Sequence, residues 1–262
     1  MRVLCLVFGF LVFLSVATHA SAQSVPRQSF NITTVKKSGG ITQFFTKKPW
    51  EGLFAAKKFS RNDAPELENI QRTLQASMLD LPTLHTAALK KLEVRKENHA
   101  SRGLANSRMM ILNTESINSE DELQAVFTHE MGHIVDLGML KSNSYSRSAF
   151  WTQGTQVFEN DPSLDFYRLS WVNYNTKSLL ASRADFISGY AMSSPFEDFA
   201  ESYLFYRLHG EKFRKIAQYS NVLAAKYKFM KNQVFKGEEF QIQKEEKGFL
   251  HNLIWDATLV KF

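Results

Sequence analysis

The segment Thr128-His129-Glu130-Met131-Gly132-His133 holds the densest chemistry in the chain. In a helix, residues four apart stand one turn above each other on one face. His129 and His133 can therefore direct two imidazole nitrogens at a single zinc ion, at about 2.0–2.1 Å each. Glu130 is rotated by about 100° from His129 at 3.6 residues per turn. It cannot comfortably join the same ligand plane, but it can reach a water on the open side of the ion. There it could take a proton and pass it to a leaving amine. The competing account is a surface helix carrying two solvated histidines. Against it, the motif falls inside a capped, amphipathic stretch and not in a loop.

A catalytic zinc with an open position takes three protein ligands. Position 136 is Asp and position 139 is Met, so no third histidine follows at the short spacing of HExxHxxGxxH. A carboxylate from a later helix is the other solution, and Glu197-Asp198-Phe199-Ala200-Glu201 opens such a helix. Glu197 and Glu201 share a face, with the small Ala200 permitting close helix approach. Glu197 is assigned as the third ligand and Glu201 as the acceptor that orients a ligand histidine. The bland alternative is a pair of surface acids complementing a positive helix end. Asp136 could partner a ligand or be a solvated acid. His85, His99, His209 and His251 follow no ligand spacing and read as structural or surface residues.

HEMGH, followed downstream by Tyr190, six residues, and Glu197-Asp198-Phe199-Ala200-Glu201, resembles the gluzincins of the lethal-factor and Pro-Pro-endopeptidase type. The resemblance covers about residues 110–208. It implies a zincin-like fold, with His129, His133 and Glu197 as ligands, Glu130 as general base and Tyr190 as oxyanion donor. It also implies an edge strand that holds extended substrate, a role suited to Arg108–Asn113. It carries over no substrate preference.

These residues need elements to position them. Ser119 and Glu122 have capping-box spacing, and Leu123, Val126, Phe127, Met131 and Ile134 form one stripe, predicting a helix from Ser119 to roughly Leu140. Pro195 precedes a second helix over Phe196–Leu208, with Gly210 beyond its end. Leu67, Ile70, Leu74 and Met78 predict a helix over Ala64–Leu81; Pro82 breaks it and opens another over Thr83–Leu92. Strands are expected at Glu93–Lys96 and Arg108–Asn113, and a further helix at Asn221–Val234. The aromatic-rich stretch 141–186 has weak periodicity; most of its rings are expected in the core, and some could line a cleft. The tail with Trp255 and Phe262 is expected to dock on the body. The fold class is α+β, helix-dominated, with a small sheet.

Met1-Arg2, the apolar run Val3–Val16 and the small residues Ala20-Ser21-Ala22 have the layout of a secretory signal peptide cleaved after Ala22. The run is short for a bilayer span, which takes about 20 residues. The organisation is therefore a signal peptide at 1–22, an N-terminal leader at 23–63 and a metallopeptidase domain at 64–262. That domain divides into a helical lobe at 64–92, a catalytic core at 93–208 and a C-terminal helical region at 209–262. Cys5, the single cysteine, leaves with the signal peptide, so the mature chain must be held by its core and not by disulfides. A net charge of +6 spread along the chain reads as a solvated basic surface and gives no nucleic-acid site.

The resulting expectation is an exported, periplasmic or extracellular zinc peptidase with one Zn²⁺ per chain. It would act on peptides or proteins, within the chain more than at its ends, and would have no stable membrane insertion. The rival is a zinc-bearing envelope binding protein without turnover, in which Glu130 would have no task. A second rival is a metal-free scaffold whose acidic and histidine helices pair by charge. Substrate and oligomeric state are left open.

Overall fold

A computed structural model describes residues 52–152, 154–240 and 254–261. The signal peptide and most of the leader lie outside these residues, as do His251 and Phe262. Among the described residues no helix is long and apolar enough to cross a membrane.

The chain first builds a four-stranded sheet in the order β1-β2-β4-β3, from β1 (Phe54–Lys57), β2 (Lys91–Arg95), β3 (Gly103–Ala105) and β4 (Met109–Asn113). β1, β2 and β4 run parallel, and β3 pairs antiparallel with β4, Gly103 opposite Leu112 and Ala105 opposite Met110. Parallel neighbours need a crossover. Helices α1 (Ala64–Leu79) and α2 (Thr83–Ala88) supply it between β1 and β2. α1 buries the expected Leu67, Ile70, Leu74 and Met78. α2 is shorter than its apolar pattern suggests, because Leu92 belongs to β2, whose Leu92 and Val94 enter the core. Glu93 is buried on the same strand and held by Lys57, Lys91 and Arg95, so its charge is paired.

The resemblance implies that Arg108–Asn113 is the substrate-holding edge, but β4 is an interior strand, paired on both sides. The outer strands are β1 and β3; the one beside α3 is β3, too short and glycine-containing to announce itself as a strand.

The central helix α3 spans Glu120–Ile134. Ser119 Oγ accepts the Glu122 N–H at 3.1 Å, while the Glu122 carboxylate turns to the Asn118 N–H and to Arg102 instead of completing the reciprocal box. A π-helical turn, Val135–Met139, carries it on to Leu140 as expected. The weakly periodic stretch becomes two small hairpins, β5 (Arg147–Thr152) with β6 (Thr155–Phe158) and β7 (Trp171–Asn173) with β8 (Thr176–Lys177). Between them sits the short helix α4 (Ser163–Tyr167), and Phe150, Phe166, Tyr167 and Trp171 are core residues. Trp151, about half exposed, packs on Tyr174 with the two rings tilted by 43°.

Helix α5 (Pro195–Ile216) is capped by Ser194, which accepts the Glu197 N–H. It continues past the expected stop. His209 leaves helical geometry (φ −134°, ψ 34°) and Gly210 lies against the Phe240 backbone, so the sequence signal marks a kink and not an end. α6 (Asn221–Phe229) and a π-helical turn, Met230–Val234, complete the predicted last helix.

Candidate metal centre

α3 and α5 pack face to face. The contact is close because Gly132 has no side chain: a β-carbon there would stand 2.8 Å from Ala200 Cα. This seam brings His129 and His133 opposite Glu197 and Glu201. His129 Nε2 lies 3.1 Å from Glu197 Oε2, and His133 Nε2 lies 3.4 Å from the same oxygen. One donor atom from each of the three residues falls within 4.8 Å of the others, a cluster compatible with a metal site.

The donor set fits zinc on two counts. Two ligands bound tetrahedrally at about 2.0–2.1 Å from one ion are about 3.3–3.4 Å apart, close to both separations here. In addition, His129 Nδ1 sits 2.9 Å from Glu201 Oε1. A proton held on that nitrogen by the carboxylate leaves Nε2 as a lone pair aimed at the cluster. Glu201 is itself fully buried and held by the Ser188 hydroxyl (2.5 Å) and the Ala257 N–H (2.8 Å).

Without a cation the cluster is electrostatically loaded. Burial alone would lower the pKa of His129, but Glu197 and Glu201 on either side overcome it and hold it raised. His133 is also raised, burial being outweighed by the Glu197 charge. For Glu197 burial works upward, yet the two imidazoles bring its pKa well below the usual carboxylate range.

Glu130 is 5% exposed, and its Oε2 has no hydrogen-bond partner among the described residues. Burial raises its pKa, opposed by His129 and His133. Such a group is suited to accept a proton from a water and return it. Tyr190, in a 3₁₀ turn (Tyr190–Met192), stacks on His129 with ring centroids 5.9 Å apart. Its phenol is held protonated by burial and by the charges of Glu197 and Glu130. It can therefore donate a hydrogen bond.

A cleft follows the free edge of β3 past Glu130. On one side a cavity of about 260 Å³ is bounded by Ser101, Arg102, Val126, Asp256 and Thr258. On the other, a cavity of about 160 Å³ is bounded by Leu104, Asn106, Leu137, Thr155 and Phe196. Ser101, Gly103, His129, Glu130 and Tyr190 border both.

Of the expected site residues, the structure gathers His129, Glu130, His133, Tyr190, Glu197 and Glu201 into this one place. Asp136 is neither of the things anticipated. It is 2% exposed, its Oδ2 accepts the Tyr167 hydroxyl, and burial raises its pKa to about 7. It braces α4 against the π-helical turn that follows α3 and makes no hydrogen bond to a ligand imidazole among the described residues. His85 and His209 are buried away from the cluster and His99 is on the surface. Gly103, Ser188 and the Ala257 amide went unnoticed in the sequence. The first lacked a readable strand around it, and the others act on Glu201 through common residue types with no motif spacing.

Residues 120–251, just over half the chain, match the model of a family described as "Putative zinc-binding metallo-peptidase". No curated protein and no solved structure matches.

Proposed function

The chain belongs to this family of zinc-binding metallo-peptidases, and from that premise we propose that it is an exported zinc-dependent endopeptidase of gluzincin type. His129, His133 and Glu197 hold the metal, with Glu201 orienting His129. Bound zinc supplies a Lewis acid that polarises the peptide carbonyl and acidifies a water. Glu130 takes the proton of the attacking water and delivers it to the leaving amine. Tyr190 donates a hydrogen bond to the carbonyl oxygen as it gains charge.

A peptidase acts on peptide or protein substrates, and the free edge of β3 suits an extended backbone added as a further strand. The cleft runs to both sides of Glu130, which supports cleavage within a chain. An HExxH helix beside a sheet whose edge strand is antiparallel to its neighbour also favours a zincin-like domain. Export rests on the signal peptide at 1–22, and amino-terminal sequencing of the secreted protein should begin at Gln23.

The observation that carries this reading is the convergence of two imidazoles and one carboxylate from α3 and α5 on a single point. Its test is the zinc content of the purified mature chain beside a Glu197→Ala variant. One zinc per chain, weakened or lost in the variant, is expected, together with cleavage of a peptide library by the wild type only. A wild type that takes up no zinc overturns the reading. So does one that is loaded but never cuts, which would favour a binding protein.

A further inference from the structure

The C-terminal segment 254–261 is separated from α6 in sequence and lies outside the matched residues 120–251, yet it is built into the metal centre. It runs beside the turn that carries Tyr190. The Gly189 N–H donates to Ile254 O at 2.8 Å and the Tyr190 N–H to Trp255 O at 2.6 Å. Gly189 leaves the space Trp255 needs, since a β-carbon there would stand 2.7 Å from the indole Cε3. Asp256 then caps a 3₁₀ turn (Ala257–Leu259) whose first N–H, that of Ala257, donates to Glu201 Oε2. The other oxygen of Glu201 holds His129. Across the cleft, Arg102 pairs with Asp256 and donates to Thr258 Oγ1 at 2.7 Å, and its remaining arm goes to Glu122 at the start of α3.

We infer that this segment is a positioning element of the metal centre, holding Glu201 and hence His129 at one point and the Tyr190 turn at another. The inference rests on the zinc-site reading above. A surface tail would spend its hydrogen bonds on neighbouring loops. Here one main-chain donor makes a hydrogen bond to a buried carboxylate that itself orients a ligand. The groups it holds lie at the metal and at the reacting carbonyl. Docking and metal binding must then favour each other by the same factor, because coupling between two equilibria is reciprocal.

Two measurements test this. In the wild-type full chain, hydrogen exchange at the amides of Tyr190 and Ala257 should slow at least 10-fold on adding zinc alone, beyond any slowing in β2. Equal changes at both places overturn the inference. The second is Ala257→Pro. Asp256 before it is extended (φ −140°, ψ 121°) and position 257 opens the turn, so the main chain accepts proline while the donor to Glu201 is lost. Zinc affinity should fall roughly 10–100-fold, as for other partners of ligand histidines. A folded variant with wild-type affinity overturns the inference even though the wild type binds zinc. If the variant does not fold, the exchange measurement decides. A wild type that takes up no zinc removes the underlying reading, and the inference with it.

Discussion

Gly103 of β3 lies against the carboxylate of Glu130, so closely that a β-carbon at position 103 would stand 2.7 Å from Glu130 Cδ. The strand that would receive substrate and the residue that would move the proton are thus placed by a single missing side chain. Gly103→Ala should displace the carboxylate while leaving the ligands in place. Turnover is expected to fall by about 10²-fold, the cost of a misplacement near 1 Å, with zinc content unchanged. Steady-state kinetics beside metal analysis would check this, and wild-type turnover would mean that Glu130 has room to spare.

Glu130→Gln and Tyr190→Phe separate the two chemical roles. The first keeps the shape of the group but removes the proton acceptor, and should retain zinc while losing nearly all turnover. The second should lower turnover by about 10²–10³-fold, as for loss of one oxyanion donor, with metal binding intact. Unchanged turnover in Tyr190→Phe would reduce that residue to packing against His129.

Lys226 is fully buried, with its Nζ 2.7 Å from Asp198 Oδ2 and from Asp185 O. Asp198 also accepts the Trp171 indole N–H at 2.9 Å. Burial pushes the lysine pKa down and the aspartate pKa up, and the attraction between the two opposes both shifts. Lys226→Met would strand the carboxylate, costing roughly 3–5 kcal/mol. Thermal unfolding should then shift down by about 6–20 °C. A shift under about 2 °C would show that Asp198 is satisfied without the lysine.

His85 is wedged between the Tyr203 hydroxyl at 2.8 Å and Val234 O at 3.1 Å, and burial lowers its pKa to about 4. The unfolded chain binds that proton near pH 6.5. Stability from His85 is therefore full above pH 6.5 and is lost as the pH falls toward 4, by roughly 3 kcal/mol. His85→Gln should be less stable than wild type at pH 7.5 but lose less on acidification to pH 4.5. Parallel losses in thermal scans would exclude His85 as the source.

Much of this site was legible in the sequence because helix periodicity is rigid. Spacing of four put His129 and His133 on one face, and the same rule put Glu197 and Glu201 together beside Ala200. The kink at His209 was unreadable for the opposite reason, since Gly210 looks the same whether a helix stops or bends. β3 escaped notice because three residues cannot show alternation. Ala257 acts through its main-chain N–H, which every residue but proline has. Asp136 shows the limit of spacing: one turn beyond His133 it is well placed for a ligand, yet the Tyr167 hydroxyl took it.

The contact of Gly132 with Ala200 has a consequence for how this protein can change. Because that seam fixes the two helices against each other, the geometry at Glu197 does not depend on the length of the hairpin turns in the chain between them. Lengthening such a connection is cheap, each doubling costing only about 0.6 kcal/mol in closure entropy. The turns of the two hairpins, β5–β6 and β7–β8, can therefore lengthen while the ligands stay in register, whereas Tyr167, Trp171, Ser188 and Tyr190 in the same span are tied to the two helices and to the site. New substrates would be acquired there, by insertion at the hairpin turns, and a single added methyl at position 132 would undo more than any of those insertions.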